Sequence, residues 1–313
     1  MNALLFPGQG SQVVGMGSEF YKSFDLVKKI FSEADKKLGF SISKIILEGP
    51  ESELQLTKNA QPAILTISFS IFKVLKEEFN FDFSVFKYFA GHSLGEYSAL
   101  VCSESLNFLD AIYLLHERGK AMQDAVPVGN GSMIAVLGTS KKDIDVLIES
   151  IADKKGICEI ANDNAKGQII ISGDKEKIEF FQKLLKEKKI KSIPLKVSAP
   201  FHCALMKPAA SVMKEKIDKI NFLKPKVDIV SNVTSNVESD PEKIKKLLIE
   251  QIFHTVRWRE SIENISNKGI KNYIELGPGK VLIGMVKRTI KDANCFSINS
   301  IADIKNFTDE FKK

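Results

Sequence analysis

The 313-residue chain lacks most of the features that would place it in a special class. No uncharged apolar run approaches the roughly 18 residues of a membrane span, so no membrane association is expected. The opening "MNALLFPGQG" has no basic n-region and turns at Pro7-Gly8, so it reads as a first buried strand and not a signal peptide. Cysteine is scarce. Cys102, Cys158, Cys203 and Cys295 lie far apart with no CxxC or CxxH, which argues against zinc and redox motifs. A reducing, cytoplasmic setting follows, although an organelle protein stripped of its transit peptide would read the same. The net charge of +6 comes from dispersed lysines without interleaved aromatics. That fits a solvated surface or attraction to an acidic partner, and disfavours nucleic acid. The glycines of "FPGQGSQVVGMG" match neither G-x-G-x-x-G nor a GK[ST] phosphate loop. No repeat or low-complexity tract is present, and the polar tail from Asn306 is expected to fray.

What is present is an alternation of apolar runs with amphipathic helical patterns, the sign of an α/β layered fold. "ALLF" and "VFKYFAGH" read as buried strands, with a helix from Leu94 to Cys102 after the second. "PAILTISFSIFKVLKEEF" reads as a helix with Pro62 near its first turn, where a missing N–H costs little. "FLDAIYLLHERGKAMQDA" reads as another helix. Between residues 129 and 197 the rhythm changes to β-α-β-β-α-β, ending in the strand "IKSIPLKVS". That order predicts a ferredoxin-like lobe (129–197) inserted into a larger domain made of 1–128 and 198–313. After it, "PFHCALMKPAASVMKEKI" begins a helix, and "VDIVSNVT" and "NYIELGP" read as two more strands of the main sheet.

Gly91-His92-Ser93-Leu94-Gly95 matches G-x-S-x-G, preceded by a strand and followed by a helix. A nucleophile elbow needs this sharp turn, with glycines where neighbouring backbone comes close. Ser93 is therefore the candidate nucleophile, at a helix N-terminus that favours developing negative charge. A serine hydroxyl needs a base, and there are only four histidines. His92 is expected to point away across the elbow. His116 falls on a charged helical face, and a structural role is plausible for His254 in "QIFHTVRW". His202, in "SAPFHCALM" at a strand–helix boundary, sits where catalytic loops sit in α/β folds. No Asp or Glu stands in an obvious motif to orient it, leaving a backbone carbonyl as the alternative.

Arg118 shares its helical stripe with Ala111, Leu114, Leu115 and Met122. A buried guanidinium needs an anionic partner. Either a structural ion pair within the protein or a clamp on a substrate carboxylate would satisfy it. Gln9, a neutral donor between two glycines, suits a loop folded over an oxyanion. "ELGPGKVLIGMVKR" reads as a structural strand–turn–helix.

In order along the chain, "FPGQGSQ", "GHSLGEYSAL", "ERGKAMQDA", "GSMIAVLG", "NDNAKGQIIISG", "SAPFHCALM" and "ELGPGKVL" resemble the malonyl-CoA:acyl-carrier-protein transacylases of bacterial fatty-acid synthesis. The resemblance spans nearly the whole chain. It implies an α/β-hydrolase-like large subdomain with a ferredoxin-like small one. It implies Ser93 as the acylated nucleophile, His202 as base and acid, and Gln9 with the Leu94 N–H as the oxyanion hole. Arg118 would pair with the free malonyl carboxylate. The Gln251 carbonyl would hold the histidine, although His254-Thr255-Val256 departs from the commoner "NPV" after the aromatic. Phe201 resembles malonyl-using members, and Asn162 and Asn164 match polar residues lining the cleft. No cofactor and no metal are implied. The implied partners are malonyl-CoA and an acyl carrier protein, with the chain a monomer. A serine hydrolase would share Ser93 and His202 without needing Arg118, and a non-catalytic acyl- or carrier-protein-binding module would have no need of the nucleophile.

Overall fold

A computed structural model of the chain describes residues 1–197 and 199–311. Among these residues ten strands form two sheets: β1 (Asn2–Phe6), β2 (Phe86–Gly91), β3 (Gly131–Leu137), β4 (Cys158–Ala165), β5 (Gln168–Asp174), β6 (Lys191–Pro194), β7 (Asp228–Val230), β8 (Val237–Glu238), β9 (Asn272–Leu276) and β10 (Asn294–Ile298).

The larger sheet runs β10-β9-β1-β2-β7-β8. Its first five strands are parallel and only β8 is antiparallel. Parallel strands covered on both faces must be apolar on both, and β1 is. Its alternate residues feed two separate cores. Leu4 and Phe6 pack with Phe89 toward the helices Thr57–Glu77 and Phe108–Asp124. Ala3 and Leu5 pack with Tyr88 toward Trp258–Asn267 and Val281–Thr289.

The smaller sheet, β4-β5-β3-β6, is wholly antiparallel. The helices Lys141–Glu149 and Lys175–Glu187 supply its own core, centred on Ile134, Ile171, Ile178 and Phe181. It is stitched to the larger part by backbone bonds, from Val256 N–H to Ala161 O (2.8 Å) and from Asp163 N–H to Val256 O (3.0 Å). Arg259 adds a forked ion pair to the buried Asp163 (2.7 Å). These bonds set the edge strand β4 against the C-terminal end of the larger sheet. Among the described residues, no helix is long and apolar enough to cross a membrane.

The expected elements are found with four corrections. The first long helix starts at Thr57, so Pro62 lies inside it, past the first turn where a missing N–H would cost little. A proline there leaves the carbonyl four residues back without its helical donor. His116 Nδ1–H fills the gap, bonding Lys58 O at 2.9 Å, so His116 is half-buried and not on an open charged face. "IKSIPLKVS" keeps only four residues as strand, and its Ser198 lies outside the described residues. The helix expected from Pro200 begins at Lys207, leaving His202 in a loop. Finally, the tail does not fray at Asn306. Ile301–Phe311 is helical, with Ile304, Phe307 and Thr308 buried. The edge strands β8 and β10 were not expected at all; they are short or only half-buried, with little apolar pattern.

Candidate active site

At the C-terminal end of β2 the chain turns sharply into the helix Gly95–Cys102. The glycines around Ser93 are dictated by space. A Cβ on Gly91 would meet the Gly95 carbonyl at 1.9 Å, and one on Gly95 would meet Phe6 O at 2.2 Å. Ser93 itself adopts φ 52°, a left-handed conformation that costs a non-glycine residue free energy. Asn232 holds it there. Its side chain accepts from Ser93 N–H (2.7 Å) and donates to Gly91 O (2.7 Å), clamping both limbs of the turn.

His202 Nε2 lies 2.8 Å from Ser93 Oγ, although 109 residues separate them. Its Nδ1 lies 2.7 Å from the carbonyl oxygen of Gln251. A carbonyl only accepts, so Nδ1 carries the proton and Nε2 is free to accept from the serine hydroxyl. Burial, and then the Arg118 cation, hold His202 down to about 3, so its neutral form dominates near neutral pH. His202 also has φ 57°, a second strained residue at the same point.

Arg118 is fully buried. Its Nη1 donates to Gln61 Oε1 (2.7 Å), and its Nη2 to Gln251 Oε1 (2.8 Å) and Ser93 Oγ (3.1 Å). The Tyr97 ring lies 5.9 Å from the guanidinium carbon. Its hydrogen bonds go only to neutral oxygens, and its Nε has no hydrogen-bond partner among the described residues. Burial lowers its affinity for the proton, so an anion at this point is strongly favoured. Ser93, His202 and Arg118 face one cavity of about 340 Å³. A nucleophile, a correctly tautomerised base and a buried cation with no carboxylate in contact together suit acyl transfer of a group that carries its own negative charge.

Comparison with known proteins agrees with this chemistry. The family model of the acyl transferase domain matches residues 3–312. The malonyl CoA-acyl carrier protein transacylase of Bacillus subtilis is 44% identical over 91% of this chain and 89% of its own length. That of Escherichia coli is 39% identical over 95% of each. The chain belongs to the malonyl-CoA:acyl-carrier-protein transacylase family. Among solved structures, the acyl-carrier-protein S-malonyltransferase of Bartonella henselae superposes with a TM-score of 0.96 at 41% identity, over 100% of this chain and 99% of that one. A malonyl-transacylase in complex with its type II PKS acyl-carrier protein superposes with a TM-score of 0.94 at 38% identity, over 99% of both chains.

The other residues singled out in the sequence converge on the same cavity. Gln9, Asn162, Asn164 and Phe201 line it. Gln9 is exposed, with its side chain on Thr57 Oγ1 (3.2 Å). The Leu94 N–H sits at the start of the helix and bonds nothing among the described residues. Thr255, in the segment that departs from "NPV", bonds Ile160 O through its hydroxyl and so still ties the Gln251 loop to β4.

Two expectations fail here. His92 does not point away from the site. It lines the cavity, and its Nε2–H donates to Asn164 Oδ1 at 2.8 Å, joining the elbow to β4. "ELGPGKVLIGMVKR" is not only structural, since Val281, Leu282 and Met285 form part of the cavity wall. His254 is exposed and packs on Phe253, with ring centroids 4.4 Å apart. Sequence reasoning missed Gln61, Glu96 and Asn232. Glu96 carried a signal, as a charged residue one position past the elbow on an otherwise apolar helix. Gln61 and Asn232 carried none that spacing reveals.

Proposed function

We propose that the chain transfers a malonyl group from malonyl-CoA to the phosphopantetheine thiol of an acyl carrier protein, through a malonyl ester on Ser93. The observation that carries this is Arg118: a buried cation that meets no carboxylate among the described residues, 3.1 Å from the nucleophile. The names of the chain's relatives, one of them solved with its acyl-carrier protein, support the donor and acceptor.

In the first half-reaction His202 Nε2 takes the Ser93 proton as Oγ attacks the thioester carbonyl. The N–H groups of Gln9 and Leu94 receive the developing oxyanion. The tetrahedral intermediate collapses, and the coenzyme A sulfur leaves with the proton from His202. In the second half the carrier thiol gives its proton to His202 and attacks the Ser93 ester; the Oγ–acyl bond breaks, Ser93 Oγ takes the proton back from His202, and the carrier departs with the malonyl group. The Gln251 carbonyl keeps the imidazole in the right tautomer through both halves. Arg118 holds the free carboxylate. Phe201, Asn162 and Asn164 shape the cavity around the acyl group and the thiol arm. The reaction needs no cofactor. The two sheets support a division into an α/β-hydrolase-like subdomain (1–128 and 198–313) and a ferredoxin-like one (129–197). We further expect a cytoplasmic monomer, whose dispersed lysines attract an acidic carrier.

Intact mass after incubation with malonyl-CoA tests the scheme. A malonyl adduct on Ser93 that moves onto added carrier protein is expected. Absence of the adduct would overturn it, and release of free malonate in place of carrier thioester would make the chain a hydrolase.

A further inference from the structure

Glu96 is a buried carboxylate that the mechanism above does not use. Its Oε2 accepts from Gln251 Nε2 at 2.7 Å and from the Asn232 N–H at 3.2 Å. Those two residues control the site. Asn232 clamps the elbow, and Gln251 touches three of its parts. The Gln251 carbonyl orients His202, its Nε2 also donates to Ser93 O (3.0 Å), and its Oε1 accepts from Arg118.

An amide side chain has one accepting end and one donating end. Facing an ionised carboxylate, only the NH2 end is stable, so Oε1 must turn to the other side, where Arg118 lies. We propose that Glu96 is a positioning residue for substrate selection: by fixing the Gln251 amide it aims the Arg118 guanidinium at the acyl group's free carboxylate. This rests on the reading of Arg118 given above. When Glu96 takes up a proton its pull on the Gln251 NH2 weakens, the Ser93 and Asn232 oxygens alone hold that end, and the acceptor that Oε1 presents to Arg118 is less firmly placed. Burial pushes Glu96 up to about 7 against its hydrogen bonds from Gln251 and Asn232. The charged and titratable groups facing it are Arg118 on the helix Phe108–Asp124, Glu238 on β8 and Tyr97 on its own helix. Of these, Arg118 favours the charged form and Glu238 opposes it. Selection for a carboxylate-bearing acyl group should therefore weaken as pH falls through neutrality.

The test is the ratio of malonyl to acetyl loading on the full-length protein, followed by intact mass between pH 5.5 and 8.5. Taking the ratio cancels the titration of coenzyme A and of His202, which both thioesters share. The malonyl carboxylate itself, with an ordinary pKa near ~4, stays charged throughout. In the wild type the ratio should fall at least about fivefold from pH 8.5 to 6. In Glu96→Gln it should be low and flat, and in Glu96→Asp the pH dependence should return. A wild-type ratio independent of pH overturns the proposal even if neither variant folds. So does a Glu96→Gln ratio that follows the wild type. Failure of malonyl-CoA to load at any pH would instead sink the transferase scheme, and this role with it.

Discussion

Arg118 Nη2 lies 3.1 Å from Ser93 Oγ, so the group that would receive the substrate's charge touches the group that would attack it. Both donors of the guanidinium fork are already held by glutamine oxygens, Gln61 on one side and Gln251 on the other. Neither is charged. The site thus fixes the fork without neutralising it.

Replacing Arg118 should separate binding of the carboxylate from the chemistry. Arg118→Ala is expected to slow malonyl loading about 100-fold or more while changing acetyl loading far less, the loss of one charge-assisted buried contact. Arg118→Lys should not restore it, because one ammonium cannot span Gln61, Gln251 and a carboxylate. Stopped loading followed by intact mass gives both rates. An equal fall for both acyl groups would make Arg118 structural.

The short Arg118–Ser93 distance also acts as a ruler. A succinyl group has one more methylene than malonyl, which shifts its carboxylate by about 1.5 Å. Misplacement of about 1 Å can cost ~100-fold. Succinyl-CoA should load at least tenfold more slowly than malonyl-CoA in the same assay. Comparable rates would show that the cavity does not measure length.

His202 should leave a mark on stability against pH. The unfolded chain protonates this histidine near ~6.5, whereas the folded chain resists until about 3. The unfolded state therefore binds the extra proton between those values. The stabilisation is complete above pH 6.5 and drains away as pH falls toward 3, by an amount of order several kcal/mol. Thermal melting of the wild type should drop more between pH 7.5 and 5 than that of His202→Asn. Asparagine is chosen because it tolerates the positive φ at this position. Parallel melting curves would contradict the assigned protonation.

The pairing of His116 with Pro62 can be measured by a double-mutant cycle. His116→Ala leaves Lys58 O without a donor and should cost about 1 kcal/mol. In a Pro62→Ala background the restored N–H at position 62 serves that carbonyl, so the same change should cost much less. Equal costs from urea denaturation in the two backgrounds would show that the contact is incidental.

Much of the site was legible before the fold because its parts are locally encoded. The elbow is one: Gly91 and Gly95 are required by contacts within a few residues and with β1, so G-x-S-x-G reads directly from the chain. Arg118 is another, since an arginine with apolar residues at −7, −4, −3 and +4 from it must be buried wherever the helix packs. Pro62 shows the limit. The donor that compensates for its missing N–H comes from His116, 58 residues beyond the carbonyl it serves and on a different element.

What the sequence by itself determined is the type of chemistry: a serine on an elbow, one histidine placed to serve it and one cation buried near neither in sequence. Only the tertiary structure decided their relations. His202 meets Ser93 across 109 residues, and the Gln251 amide joins Arg118 to Glu96 across two further elements. Those contacts depend on which strands lie side by side in the sheet, and periodicity along a chain carries no record of that order.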